Sequence, residues 1–174
     1  MDENLPRSAR RVQDALAAAG LEARVVELPA SAHTAQQAAE AIGCGVEQIA
    51  KSVIFRRGDT GLPVLVLLRG VDRVDTQALA RHLGAEVKRA DPDFVRASTG
   101  FAIGGVPPIG HPEPVQTILD AGLLAYDNVW AAAGTPQAVF QAQPRRLVDA
   151  YRMEVAAVAE SSSQGREPSP AEAS

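Results

Sequence analysis

Apolar positions along this chain switch repeatedly between helical and strand-like spacing. Between Ser8 and Gly20, Val12, Leu16 and Ala19 fall on one helical face, with Ser8 placed to cap the start and Gly20 the end. Ala23 to Leu28 is short and β-branched, a strand that closes at Pro29. Thr34 opens a second helix, because Gln37 completes a capping box and Ala35, Ala38, Ala39 and Ile42 share a face before Gly43. The next strand, Ala50 to Arg56, alternates: Lys51, Val53 and Phe55 take one face, Ser52, Ile54 and Arg56 the other. A loop from Arg57 to Gly61 leads back into Pro63 to Leu68, which is apolar on both faces and belongs at the centre of a sheet.

Asp75 caps a third helix that ends at Gly84 with Leu79 and Leu83 inward. Glu86 to Arg89 reads as a short edge strand, and Asp91-Pro92 starts a fourth helix running to about Ser98. Further strands are predicted at Val115 to Leu119, Tyr126 to Ala133 and Gln137 to Ala142, the last two joined by the Gly134-Thr135-Pro136 turn. Pro144 opens a closing helix with Leu147, Val148 and Tyr151 inward, and Met153 to Ala159 reads equally as strand or helix extension. The segment 160–174 has no core-forming residue and is expected to be a disordered tail. With a flexible N-terminus at 1–7, the folded part is a single domain over 8–159. Helices and strands are interspersed and at least one strand pair is a tight hairpin, so the expected class is mixed α+β rather than a doubly wound parallel sheet.

Composition narrows the function. Apolar residues make up 46% of the chain and charged residues 22%, which suits an ordinary globular domain. One cysteine, Cys44, excludes an internal disulfide, reads as a small filler more than as a nucleophile, and together with a charged N-terminus points to a reducing cytoplasmic setting. No apolar run approaches the ~18 residues that a membrane span needs. The net charge of −4 argues against a grip on long nucleic acid, which calls for a basic surplus; any such partner is held locally.

Two places carry candidate chemistry. Only two of the 17 basic residues are lysines, Lys51 and Lys88, so a lysine inside an apolar strand suggests a need for a compact, titratable amine. The plain alternative is a strand-end lysine whose stem lies on apolar surface while its head reaches water. The second place is Gly100 to Pro112, with four glycines and three prolines. Rigid bends of this composition present main-chain N–H groups, here those of Gly104, Gly105 and Val106, to an anion or carbonyl oxygen. A tight surface loop without a ligand is the competing reading. Neither a phosphate-binding GxxxxGK[ST] nor a dinucleotide GxGxxG is present, and His33, His82 and His111 lack metal-ligand spacing.

The AKS strand following a TAQQAAEAIG helix, with GGVPPIGH some fifty residues later, resembles the YbaK/prolyl-tRNA synthetase-associated editing family of free-standing aminoacyl-tRNA deacylases. The resemblance runs from about Ser8 to Tyr151. It implies an α+β fold with a mixed, barrel-like sheet and peripheral helices. It also implies hydrolysis of the ester between a wrongly attached amino acid and the 3′-terminal adenosine of a tRNA. Lys51 matches the family's strand lysine, and the GxxxP loop falls on Gly104-Gly105-Val106-Pro107-Pro108. By that resemblance Lys51 and Gly104 are the catalytic candidates, while Gly105, Val106, Pro108 and Ser52 contact substrate; His111, which flanks the loop, either adjusts it or contacts substrate as well. Water is the implied nucleophile, assisted by the substrate's own ribose hydroxyl, with no metal or organic cofactor. The implied partners are the 3′ end of mischarged tRNA and an aminoacyl-tRNA synthetase. The competing function is a module that holds an acylated tRNA end or docks on a synthetase without cleaving. A weaker third is Schiff-base chemistry at Lys51. Strict alternation turns Ser52 away from Lys51, which leaves its place in a shared pocket as an open expectation.

Overall fold

The computed structural model describes residues 4–163. Helix α1 (Arg7–Ala18) buries Ala9, Val12 and Leu16 as one stripe, and Pro6 rather than Ser8 takes the N-cap position. Gln13 ties this helix to the first strand, β1 (Val25–Glu27): its amide donates to the Ala23 carbonyl at 3.0 Å and accepts from Val25 N–H at 2.8 Å. Helix α2 (Ala35–Ile42) carries the expected capping box, Thr34 accepting from Gln37 N–H at 3.0 Å, and stops at Gly43 in the left-handed region. A 3₁₀ turn at Val46–Gln48 then feeds β2 (Ile49–Arg57).

β2 pairs antiparallel with β3 (Pro63–Arg69), whose Val64 to Leu68 are wholly buried, so the centre of the sheet is where the unbroken apolar run placed it. Helix α3 (Thr76–Leu83) starts on the Asp75 cap, the edge strand β4 (Val87–Arg89) pairs with β2, and α4 (Pro92–Thr99) starts on Asp91. The remaining elements are β5 (Gln116–Asp120), a 3₁₀ turn at Ala121–Ala125, β6 (Val129–Ala132), β7 (Ala138–Ala142), α5 (Pro144–Tyr151), β8 (Glu154–Ala156) and α6 (Glu160–Ser163). The 3₁₀ turn shortens the strand expected from Tyr126, and Met153–Ala159 resolves in favour of strand.

The sheet has eight strands in the order β1-β7-β6-β2-β3-β5-β8, with β4 on β2 outside that path. Its pairings are mixed: β2–β6, β3–β5 and β5–β8 are parallel, the others antiparallel. The expected barrel-like closure is corrected here. β1 pairs with β7 and β8 with β5, but these three-residue end strands do not pair with each other, so the sheet stays open.

Each face carries its own core. On one, α1, the loop residues Phe101, Val106 and Ile109, and Leu147 of α5 pack on Ala50, Ile54, Leu65 and Leu67. On the other, Leu79 of α3, Val158 and Ala159 pack on Phe55, Val64, Val66 and Leu68. The C-terminal segment is clasped to this second face by Asp120, whose fully buried carboxylate accepts from Val158 and Ala159 N–H, both at 2.9 Å, and from Ser162 Oγ–H at 2.6 Å. Glu160–Ser163 is therefore a docked helical turn where the sequence suggested the start of a loose tail; the rest of that stretch lies outside the described residues.

Candidate active site

The centre of interest is an interruption in the pairing of β2. On its outer side, β6 pairs with Ile49 and Ala50, and β4 pairs with Phe55 to Arg57. Main-chain groups of alternate residues face the same side of a strand. The Ile54 carbonyl accepts from Ala90 N–H on the β4 side at 3.0 Å, so the Ser52 amide and carbonyl point into the gap between β6 and β4. Neither strand takes Ser52 into its ladder. A cavity of about 180 Å³ opens there. Its walls are the start of α2, the start of β2, the glycine-proline loop through Gly104 and Val106, and the β6–β7 hairpin through Trp130 and Pro136.

Both Lys51 and Ser52 line this cavity. The alternation expected of the strand holds, yet it does not separate the two, because the cavity wraps the open edge of β2 instead of sitting on one face. Lys51 is half-buried, and its Nζ donates to the Gly70 carbonyl at 3.3 Å. Burial lowers its pKa, the Asp72 carboxylate opposes that, and the Arg89 and Arg73 guanidiniums lower it further. Asp72 is itself fixed by Arg69, a buried bidentate pair at 2.7 and 2.9 Å, and Arg69 also donates to Tyr126 Oη at 3.0 Å.

The loop is shaped by what each glycine permits. Gly104 sits at φ +94°, where a side chain is strained. Gly105 backs onto the hairpin turn so closely that a Cβ would lie 2.8 Å from Thr135 Cα, and its carbonyl accepts from Gly134 N–H at 2.9 Å. Gly105 N–H is spent on the Ala102 carbonyl at 3.1 Å, whereas the amides of Gly104 and Val106 have no partner among the described residues. The donors left for a ligand are thus Gly104 and Val106, not the full run of three.

Pro108 and Gly105 are buried in the loop's packing and do not line the cavity; His111 does not line it either. The His111 ring braces the loop from behind. A carbonyl only accepts, so its Nε2–H donates to the Pro107 carbonyl at 2.8 Å, and the ring meets Phe101 edge-on with centroids 6.3 Å apart. Burial pushes its pKa down, against the Pro107 bond and with help from Arg11.

Among the wall residues that sequence reasoning did not assign to the site are His33, which it favoured as a helix-entry residue, Thr34, Trp130 and Pro136. Each had a local role to explain it, as helix start, strand or turn, and only the fold gathers them. His82 lies away on the surface, its Nε2 2.9 Å from Glu154. Cys44 is not on the cavity, and burial together with the Glu47 carboxylate pushes its thiol pKa up, unlike a poised nucleophile. Among the described residues no group of three or more His, Cys, Asp or Glu is placed to hold a metal, and no helix is long and apolar enough to cross a membrane.

A second cavity, of about 420 Å³, touches Lys51 from the other face of β2, beside Val53 and Phe55. Arg73, Arg89 and Glu160 line it. Lys51 thus stands at the junction of a small, largely uncharged cavity and a larger cationic one.

Residues 29–150 match the family model of the aminoacyl-tRNA editing domain. The uncharacterized protein YwhH of Bacillus subtilis (strain 168) is 32% identical over 123 residues, spanning 71% of this chain and 78% of that protein. A proline–tRNA ligase of Limosilactobacillus fermentum is 35% identical over 102 residues, 56% of this chain but only 18% of the ligase. In structure, the chain superposes with a TM-score of 0.86 at 47% identity on a crystal structure of a protein put forward as a trans-editing enzyme for prolyl tRNA synthetase, covering 90% of this chain and 99% of that one. With the match covering most of the chain and the loop, strand and cavity all inside it, the chain belongs to the aminoacyl-tRNA editing domain family.

Proposed function

We propose that the protein is a trans-editing hydrolase that removes the amino acid from mischarged tRNA by cleaving its ester to the 3′-terminal adenosine. The observation that supports this reading is the small cavity at the open edge of β2, which is lined by Lys51 and by Gly104 and Val106, whose amides have no partner among the described residues. At about 180 Å³ it lies below the usual ~300–1,000 Å³ of a ligand pocket. That volume suits a small amino acid and its ester group, with the nucleotide outside.

Attack of water on the ester carbonyl puts negative charge on its oxygen. Fixed N–H donors stabilise that charge where it develops, about 2.7–4 kcal/mol for one donor. Gly104 and Val106 supply such donors, and Lys51 as an ammonium adds a charged one at the nucleotide side. Collapse of the intermediate expels the ribose oxygen, which takes up the proton lost by water. No group of the protein is consumed. Ser52, through its hydroxyl and its unpaired main-chain edge, contacts the amino-acid part. An acylated tRNA 3′ end is the partner, and docking on a synthetase is compatible with the similarity to part of a proline–tRNA ligase.

The test is a panel of tRNAs charged with Ala, Ser, Thr, Cys and Pro. Faster ester loss from at least one mischarged species, abolished in Lys51→Ala, is the expected result. Binding without hydrolysis by the unsubstituted protein would replace the enzyme with a holding module.

A further inference from the structure

Beyond Lys51, the cationic cavity continues. Thr76 lines both it and the largest of the described cavities, about 570 Å³, on whose wall stands the chain's other lysine, Lys88. The two spaces adjoin at Thr76: one runs from Lys51 past Arg73 and Arg89, the other carries Lys88 together with Arg56 and Glu86, and the pair is called the trough below. Arg73, Lys88 and Arg89 are all exposed, and none has a carboxylate partner among the described residues. Arg57, by contrast, lines the Lys88 end but is tied to Asp59 at 2.9 Å.

The trough is also held in shape. Arg73 lies on the segment that the C-terminal clasp secures: its carbonyl accepts from Glu160 N–H at 2.8 Å, and Val158 O accepts from Asp75 N–H at 2.7 Å. The same clasp brings the Glu160 carboxylate to the trough's wall. Three cations with no carboxylate partner among the described residues, set against Glu86 and Glu160 on the same walls and a net charge of −4, mark this as a local anion track and not a general basic surface.

We propose that this trough carries the phosphodiester backbone of the single-stranded 3′ end of tRNA, with Arg73 and Arg89 contacting the phosphates nearest the ester and Lys88 one further along. The proposal rests on the deacylase reading, which supplies the reason for a strand to begin at Lys51. A track of three or four cations is too short for a duplex surface but matches a few nucleotides of single strand, each phosphate contact adding its counterion release to affinity. Glu160 opposes this charge and sets the affinity below its maximum, so that product leaves.

The experiment measures binding of a fluorescently labelled, uncharged single-stranded RNA ending in CCA to the full chain across a salt series. Arg73→Gln with Arg89→Gln should weaken binding about tenfold and reduce the log–log salt slope by about 1.4, at ~0.7 per phosphate contact for single strands. Arg24→Gln with Arg145→Gln changes net charge equally at exposed arginines outside both cavities, and should leave affinity and slope nearly unchanged. Glu160→Gln should tighten binding about threefold. Equal losses in the two double variants, an unchanged slope in the first, or no binding by the unsubstituted protein would each overturn the proposal. Because the RNA carries no amino acid, a protein that binds it as described yet hydrolyses no charged tRNA would leave the trough standing while refuting the deacylase.

Discussion

The two cavities that meet at Lys51 differ in what they offer. The one at the loop is about 180 Å³ and walled by alanines, Ile49, Val106, Val139 and Trp130, with Lys51 its only Lys, Arg, Asp or Glu. The other is about 420 Å³ and adds Arg73, Arg89 and Glu160. A cramped, largely apolar space discriminates by size and shape, since one methylene in such a pocket is worth about 1–3 kcal/mol. An open cationic space grips by charge and is indifferent to the amino acid. On the proposed function, one strand edge separates choosing the ester from holding its carrier, and Lys51 lines both cavities.

Substituting Lys51 therefore has the largest expected effect. Lys51→Ala should lower ester hydrolysis about 100-fold or more, in line with loss of one donor to a developing oxyanion. Lys51→Arg keeps the charge but replaces a compact ammonium with a planar fork, and should not restore the rate. If the ammonium is the working form, the enzyme-dependent rate falls as pH rises through the lysine's lowered pKa, below its ordinary value of 10.5. A rate that climbs through the same range, after subtraction of the uncatalysed hydrolysis, would make Lys51 a base instead. Wild-type rates in both lysine variants would remove Lys51 from the mechanism.

Second in size is the wall opposite. Gly105→Ala would place a Cβ 2.8–2.9 Å from the Thr135 main chain, which cannot retreat as a flexible side chain would. The loop must move away from the hairpin, and Gly104 moves with it. We expect a stability loss of about 1–3 kcal/mol, as for other overpacked sites, and a rate loss of about tenfold or more. Denaturant melts alongside single-turnover hydrolysis would check both. A variant as stable and as active as the parent would mean that the loop's position does not matter.

Much of this was legible in the sequence, and the parts that were not share a cause. The Thr34 capping box, the buried Pro63–Leu68 strand and the Asp91-Pro92 helix start are local patterns, set by residues a few positions apart. The open sheet was not legible, because closure depends on whether β1 and β8 meet, and no local pattern encodes that. Ser52 shows the same limit from another side. Alternation assigned its side chain to the correct face, but the gap in pairing between β6 and β4 is a long-range property, and it decides which cavity Ser52 lines. No local pattern singles out Arg73 or Arg89; only the fold sets them on the cavity that Lys51 also lines. For His111 the sequence left two roles open, adjusting the loop or contacting substrate, and the bond of its ring to the Pro107 carbonyl favours the first.

A smaller effect would sharpen the size-selecting half. Ala38 lines the loop-side cavity from α2, and Ala38→Leu adds three carbons to its wall. The rate against the bulkiest amino acid the enzyme accepts should fall about tenfold more than the rate against alanine. The affinity for uncharged CCA-ended RNA should stay as it was, because the trough lies on the other side of Lys51. Equal loss on every amino acid would count against a steric pocket at this position.

The smallest expected effect concerns the brace under the loop. Burial holds the His111 pKa below the ~6.5 of an unfolded chain. Between those two values the unfolded state binds more protons than the native state, so stability rises with pH through that window and is level above it. Acidification from pH 7.5 to 5 should therefore cost the parent stability through this residue. His111→Gln retains an N–H donor for the Pro107 carbonyl but cannot titrate, so it should keep most of the neutral-pH stability and lose this acid sensitivity. The comparison needs only urea unfolding of both proteins at the two pH values, since every other acid-sensitive group is common to them. The expected gap is about 1 kcal/mol or less, the worth of a modest pKa shift. Parallel losses in the two proteins would show that the imidazole titrates as freely in the native loop as in the unfolded chain, and that the loop beside the size-selecting cavity owes its acid stability to other groups.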